Sequence, residues 1–534
     1  MKPAREPPRV NATNETAISI CQPGITNGFL TFSSVFIALI ILLVLSCLSR
    51  RKRKVRLCGK TITRPGLCIP VNLVDSYENR FAFACAFGAT AMKCLSILFF
   101  GTYSEVFTTE MIAWIESPEV PSYIGIIWKI VAMFVIGIAY YPLFACMATD
   151  YKITGLVIGF LYSALWILFE SAEYIQCPIY SSWVFPGDGF AVMFPVFACL
   201  FYLCLRYFVL LVKAIHTRCR PNASPKDEEN EWMTFYKYKY VVKLLEPIPK
   251  EHRNITTSTS FKGRLKEKIY KWKPEFKYST RVISTYLISF IGMYEVLLIL
   301  VMLGGLLLEF RQSFNLVEAG PSLIDLTDVK EWLLIGAVSI FVAVGLTGIY
   351  SIFLVANMLS WYRGHLLRLQ RGEKNFLPAE IFNRNPSAIT AATLKYSGYQ
   401  VAYLCWGVTI TVLTLTAIGF VLQNLWPAVI ISLVFFSIQL LLAKYAFLVD
   451  KDTTLALDNR RLFHVCTFFL FFFNIFLGVV SCLKRILIGA VLGVMFLGRT
   501  QKSVISRDFE LMDPGFTAYV GYLLWNILMP TQFW

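Results

Sequence analysis

Before Asn459, nine stretches of this chain run for twenty residues or more with at most two charged side chains apiece, and nothing else limits its folding as much. A helix that crosses the hydrocarbon core of a bilayer needs about 20 apolar residues. The stretches are roughly Phe29 to Leu48, Phe81 to Phe100, Ile124 to Thr149, Ile153 to Ala172, Phe190 to Ile215, Val282 to Leu308, Trp332 to Leu359, Ser397 to Leu422 and Ala428 to Val449. They are unbroken rather than alternating with a period of two, so the spanning elements are expected to be helices and not barrel strands. Hydrophobic residues make up 56% of the chain and charged ones 16%, far from a soluble average. The predicted fold class is an all-α integral membrane protein with nine transmembrane helices. The first run has no basic stretch just before it and no small-residue cleavage site after it, so it is expected to remain as the first span.

Sidedness follows from the flanks. Asn11 in NAT and Asn14 in NET are glycosylation sequons, which have meaning only outside the cytoplasm, while the first run is followed by SRRKRKVR. The amino terminus is therefore expected outside, in the cell membrane of a multi-pass protein. Alternation from there leaves 41 of the 50 Lys and Arg residues in the cytoplasm. The implied organisation is an extracellular terminus (1–28), spans one to five (29–215), a basic cytoplasmic loop (216–281), spans six to nine (282–449) and a cytoplasmic tail (499–534). The formal net charge of +16 lies in these loops, where membrane orientation and anionic headgroups explain it, which argues against a nucleic-acid partner.

The stretch NRRLFHVCTFFLFFFNIFLGVVSCLKR, Asn459 to Arg485, is long enough to cross but carries a basic pair at each end. A simple tenth span would put Lys484, Arg485, Arg499, Lys502 and Arg507 outside, against the charge bias. A re-entrant helical hairpin over 462–498, turning near Asn474 to Gly478, keeps every basic group inside. Such segments are tolerated where protein covers their irregular backbone. The alternative is a tenth true span with an external carboxyl terminus.

Groups able to do chemistry are few. The chain has four histidines, His216, His252, His365 and His464, with no HExxH, P-loop or GxSxG spacing, so no enzymatic activity, metal or cofactor is expected. Charges well inside the runs are Lys93, Arg206 and Glu295; Glu295 is expected to pair with Arg206 or Lys93. Lys129, Glu170, Glu173 and Lys444 lie near helix ends and are expected to reach the interface. Of 14 cysteines, Cys21 and Cys177 alone fall outside by this topology and are predicted to be bridged, since disulfides persist there. In FKGRLKEKIYKWK, Phe261, Leu265, Ile269 and Trp272 recur at helical spacing among Arg264, Lys268 and other cations. A basic amphipathic helix of this kind suits either a membrane surface or calmodulin.

Several collinear blocks resemble the vertebrate receptor for retinol uptake, the multi-span membrane receptor for plasma retinol-binding protein. They are WKIVAMFVIGIAYYPLFAC with Tyr140, Tyr141 and Pro142; the CP of Cys177 and Pro178; GYQVAYLCWG with Tyr399 and Gln400; LWP with Trp426 and Pro427; LDNRRLF with Asn459, Arg460 and Arg461; LGR; and MDPGF with Asp513, Pro514 and Gly515. The resemblance implies nine spans, an external amino terminus and a cytoplasm-facing hairpin at a homodimer core. It also implies an apolar cleft passing retinol from its carrier, and calmodulin on the basic loop. The chain departs from that pattern in three places, one being that the apolar outside excursion the family inserts before LWP is nearly absent. Only Arg311 to Glu331 stands where the family has a longer outside segment with a YLLAGF-like grip for retinol-binding protein, and the chain stops at Trp534, short of the family's calmodulin-binding tail. A divergent or shortened relative would have this form.

The expected function is a receptor or facilitator that moves retinol through a lipophilic cleft between spans five to nine and the hairpin, without ATP or a coupling ion. The alternatives are an ion-coupled transporter working through Glu295 or Arg206, and a calmodulin-binding receptor or scaffold that moves nothing.

Overall fold

A computed structural model describes residues 27–48, 53–57, 60–64, 79–100, 122–149, 151–176, 188–219, 276–318, 327–442, 444–445, 485, 487–505 and 507–531. Ten helices hold most of these: α1 (Asn27–Leu48), α2 (Arg80–Phe100), α3 (Ser122–Ala148), α4 (Lys152–Gln176), α5 (Asp188–Cys219), α6 (Thr280–Glu318), α7 (Thr327–Gln370), α8 (Pro386–Leu442), α9 (Leu487–Phe496) and α10 (Pro514–Thr531). Seven of the described helices are long and apolar enough to cross a membrane: α1, α3 to α7, and the Pro386–Gly419 part of α8. Their outward faces stay apolar, with Phe134 of α3 70% exposed and Ile349 of α7 72% exposed. Apolar exposure repeated on helix after helix suits lipid and not water. One element departs from an all-helical plan. Strands β1 (Arg53–Leu57) and β2 (Lys60–Arg64) pair antiparallel in the basic segment after α1, with Val55 opposite Ile62. Val, Ile and two Thr residues in RKVRL and KTITR favour an extended backbone, a local preference that the charge count hides.

Helix ends differ more from the sequence reading than helix existence does. Helices α6 and α7 run for 39 and 44 residues, well past the apolar runs they contain. At 1.5 Å per residue these are roughly 60 Å long, about twice a hydrocarbon core. The run expected as span eight and the part of span nine up to Leu442, with an expected break between Leu422 and Ala428, lie on the single helix α8 of 57 residues. Pro427 does not interrupt it. Proline removes one N–H and crowds the preceding turn, a local cost that a long flanking helix can absorb with a kink.

The chain forms two compact units, and the divisions between them include one inside α2 and one at the end of α5. In the first, α1, α3 and α4 pack on one another. Helix α5 joins them through Tyr207, whose hydroxyl donates to the Leu143 carbonyl of α3 at 2.5 Å and whose ring lies against Gly159 of α4. Only a glycine leaves that space. In the second unit α6, α7, α8 and α10 share one core, rich in tyrosine, with Tyr286, Tyr396, Tyr519 and Tyr522 all buried. Tyr396 and Tyr522 stack with centroids 4.5 Å apart, and the Arg281 guanidinium sits 4.9 Å over the Tyr522 ring. The stretch read as a cytoplasmic tail thus holds α10, a helix buried on all sides from Ala518 to Leu524.

Local chemistry sets these elements. Helix α7 ends at Gly372, whose φ of +84° only glycine adopts readily; its N–H reaches the Leu369 carbonyl at 3.0 Å and that of Glu373 reaches Arg368 at 3.0 Å. This pair of bonds closes the last turn and satisfies carbonyls that the helix leaves open. Helix α10 starts with the opposite device. The Asp513 carboxylate accepts the N–H groups of Gly515 (2.9 Å) and Phe516 (3.3 Å), and Pro514 fills the first helical position, where no N–H is needed.

Candidate functional site

Among the described residues, each unit holds a buried polar centre within its apolar packing. In the first unit Lys93 of α2 meets Glu170 of α4 at 2.9 Å, with 8% and 4% of the side chains exposed. The Tyr140 hydroxyl of α3 donates to the same carboxylate at 3.4 Å, and its ring stacks on Trp166 at 4.2 Å. Glu170 therefore does not reach the interface as expected; it turns inward because a buried ammonium needs a counter-charge. Lys93 thus has Glu170 as a counter-ion within its own unit. Glu295 of α6 is buried, and its Oε1 has no hydrogen-bond partner among the described residues. Arg206 is half-buried on α5.

The second centre is the seam where the chain leaving α9 docks onto α7 and α8. Helix α9 ends in a turn at Leu497 and Gly498, and a side chain on Gly498 would meet Leu404 of α8 at 3.1 Å and Leu354 of α7 at 3.2 Å. Across from it, a Cβ on Gly407 would come within 3.1 Å of the Gly498 nitrogen. Two glycines thus let backbone approach backbone. Gln400, fully buried on α8, bridges the seam: its amide nitrogen donates to the Gly498 carbonyl at 3.3 Å, and its oxygen accepts the Thr500 hydroxyl. Tyr350 of α7 closes the other side by donating to the Met495 carbonyl at 2.7 Å. Arg499 lies over the Phe496 ring at 4.1 Å.

Between α7, α8 and this turn lies a small cavity. Its lining includes the hydroxyls of Thr347, Tyr350, Ser351 and Thr411 together with Leu354, Leu404, Val408 and Met495. The space for the centre of a water-sized group is about 10 Å³, so it holds roughly one hydroxyl or one water.

The quoted motifs divide accordingly. GYQVAYLCWG supplies Gln400, Leu404 and Gly407 to the seam, with Tyr399 stacked on Tyr403 at 6.1 Å. LGR is the docking turn itself. MDPGF starts α10, and Gly515 lies so close to the Tyr403 ring that any Cβ would collide with it. Tyr140 belongs to the ion-pair centre, beside Tyr141 and the buried Pro142, which lies within α3. Trp426 and Pro427 lie on α8. Asn11, Asn14, Cys21, Cys177, Phe261, Arg264, Leu265, Lys268, Ile269, Trp272, Asn459, Arg460 and Arg461 fall outside the described residues, as does the first leg of the expected hairpin. Sequence reasoning passed over Gln400 as a bridge and Thr347 altogether. An uncharged amide inside an apolar run was the available signal.

Long apolar helices, buried polar bridges between them and lipid-suited outer faces define a multi-pass helical membrane protein. The sequence model of the retinol binding protein receptor family matches residues 19–528, and the chain belongs to that family. Among curated proteins it is 27% identical to the stimulated by retinoic acid gene 6 protein-like of Mus musculus, over 96% of this chain and 84% of that protein. It is 23% identical to the receptor for retinol uptake STRA6 of Rattus norvegicus, over 94% of this chain and 79% of the relative. The human protein of that name is also 23% identical, over 95% of this chain and 80% of its own length.

Proposed function

We propose that this protein is a retinol-uptake receptor that passes an apolar alcohol from an extracellular carrier into the membrane and the cell. The observation that carries the reading is family membership across residues 19–528, nearly the whole chain. The physical chemistry suits such a cargo. Burying apolar surface is favourable by about 25 cal/mol per Å², so a path lined by aliphatic and aromatic side chains needs few polar groups to hold a retinoid. Neither ATP nor a coupling ion is required, since the cargo partitions downhill into a lipophilic cleft; no enzymatic step or cofactor enters the scheme.

The finer parts of the proposal keep the sequence reading. The amino terminus is outside, glycosylated at Asn11 and Asn14, and tied by a Cys21–Cys177 bridge. Nine spans are followed by a re-entrant hairpin at a homodimer seam, and calmodulin takes the basic loop around Phe261 to Lys273. The carrier is of the retinol-binding-protein class, gripped through a contact other than the family's longer outside segment.

Cells expressing the chain are expected to accumulate more labelled retinol from its carrier than mock-transfected cells do. Equal accumulation, with the protein verified at the surface, would remove the reading.

A further inference from the structure

The cavity at the seam contains one group that its surroundings leave unsatisfied. Thr347 is 1% exposed, and its Oγ1 has no hydrogen-bond partner among the described residues. The hydroxyls beside it are committed as donors: Ser351 to the Thr347 carbonyl at 2.7 Å, Thr411 to the Gly407 carbonyl at 2.6 Å and Tyr350 to the Met495 carbonyl at 2.7 Å. Their oxygens keep lone pairs free to accept, while the Thr347 hydroxyl can both donate and accept. An occupant that donates to Ser351 or Thr411 and accepts from Thr347 would complete the set. A hydroxyl does this; an aldehyde oxygen or a hydrocarbon end does not.

Position agrees with that chemistry. Thr347 lies twelve residues before Leu359, where the apolar run of α7 ends, or about 18 Å along the helix and roughly halfway through a bilayer core. The side chains of Leu354, Leu404, Val408 and Met495 make the rest of the lining largely apolar, so a polar group entering there finds side-chain partners at the hydroxyls of Thr347, Ser351, Thr411 and Tyr350. A buried hydroxyl without a partner is costly, and an apolar alcohol at this depth carries the matching deficit.

We infer that the Thr347 cavity, walled by Ser351 and Thr411, is the subsite that recognises the terminal hydroxyl of an apolar alcohol. This deepens the retinol-uptake reading and rests on it. A lone water molecule could supply the same hydrogen bonds, so the test must separate water from cargo.

Cells expressing the full chain are given labelled retinol or its hydrocarbon analogue lacking the hydroxyl, and the ratio of the two uptakes is compared among wild type, Thr347→Val, Thr347→Ser and Thr411→Val at matched surface expression. Wild type and Thr347→Ser are expected to favour the alcohol. Thr347→Val, which keeps the shape and deletes the hydroxyl, is expected to lower the preference about three- to tenfold, the range one net hydrogen bond gives. Thr411→Val should reduce it from the facing wall, and serves where Thr347→Val fails to reach the surface. An unchanged preference in both valine variants identifies a water site only and overturns the inference while leaving the uptake reading in place. Equal uptake of alcohol and hydrocarbon by wild type overturns it as well. No uptake of either molecule by wild type removes the uptake reading and the inference with it.

Discussion

Lys93 and Glu170 illustrate how little room a buried charge has. Each is over nine-tenths buried, and at 2.9 Å each is the other's counter-ion. Removing the ammonium alone with Lys93→Met leaves a carboxylate in a dry interior, a loss of about 3–5 kcal/mol for comparable buried pairs. Thermal unfolding of the purified protein in detergent should therefore show a large drop for the single variant and a smaller one for Lys93→Met combined with Glu170→Gln. A double variant no better than the single would show that the pair is not what Lys93 provides. Gln400 makes a neutral version of the same argument. Gln400→Leu strands the Gly498 carbonyl and the Thr500 hydroxyl together, at about 1–3 kcal/mol for each unsatisfied group, so the melting temperature should fall by several degrees. Glycines test packing with one methyl. Gly515→Ala drives a Cβ into the Tyr403 ring and should destabilise, whereas Gly137→Ala meets nothing within 4 Å in the middle of α3 and should be neutral or stabilising by up to about 1 kcal/mol. Melting curves that rank the two glycine variants the other way would contradict the packing described.

Caps decide where elements stop, and the start of α10 can be tested directly. Asp513→Ala deletes the acceptor for two N–H groups and should cost about 1 kcal/mol, while Asp513→Asn, whose side-chain oxygen can still accept, should retain most of the stability. Equal melting temperatures for the two variants would mean that the carboxylate does not cap the helix. The same scale shows what was legible in the sequence. The apolar runs stand out because hydrophobic length is a property of composition alone, and seven of them return as helices fit to cross a membrane. Their ends did not show. Past Leu359 the α7 helix continues on Tyr362, His365 and Leu369, which pack inward while Gln370 and Arg371 face out, a pattern of period 3.6 that charge counting reads as loop. His365 shares a 2.9 Å hydrogen bond with Tyr519 of α10 there, a contact across 154 positions that no local window reveals. The seam was half legible: GYQ and LGR were marked as motifs, but their meeting depends on how the chain returns after α9. Thr347 carried no signal, since one threonine in an apolar helix is unremarkable until its neighbours' hydrogen bonds are counted.

Across the whole molecule the balance of basic groups makes the strongest demand. In the nine-span arrangement proposed above, 41 of 50 Lys and Arg residues lie on one side, and the chain after the ninth run begins and ends on that side unless five cations cross with it. The described helix α9 has ten residues, about 15 Å, half of a hydrocarbon core. Its far end is held by protein: Gly498 fits between α7 and α8, and Thr500 is 1% exposed against Gln400. Irregular backbone covered in this way is what a re-entrant segment needs, and what a lipid-exposed break in a span could not have. The place to ask the question is just beyond the seam, where Val504 and Ile505 are 51% and 47% exposed and an inserted epitope disturbs no buried contact. An epitope after Val504 should be reached by antibody only once cells are permeabilised, and an epitope before Asn11 in intact cells as well. Labelling of the Val504 insertion in intact cells would put the docking turn on the outer face, make the segment from Leu462 a tenth crossing, and leave the charge bias to be explained by some other force.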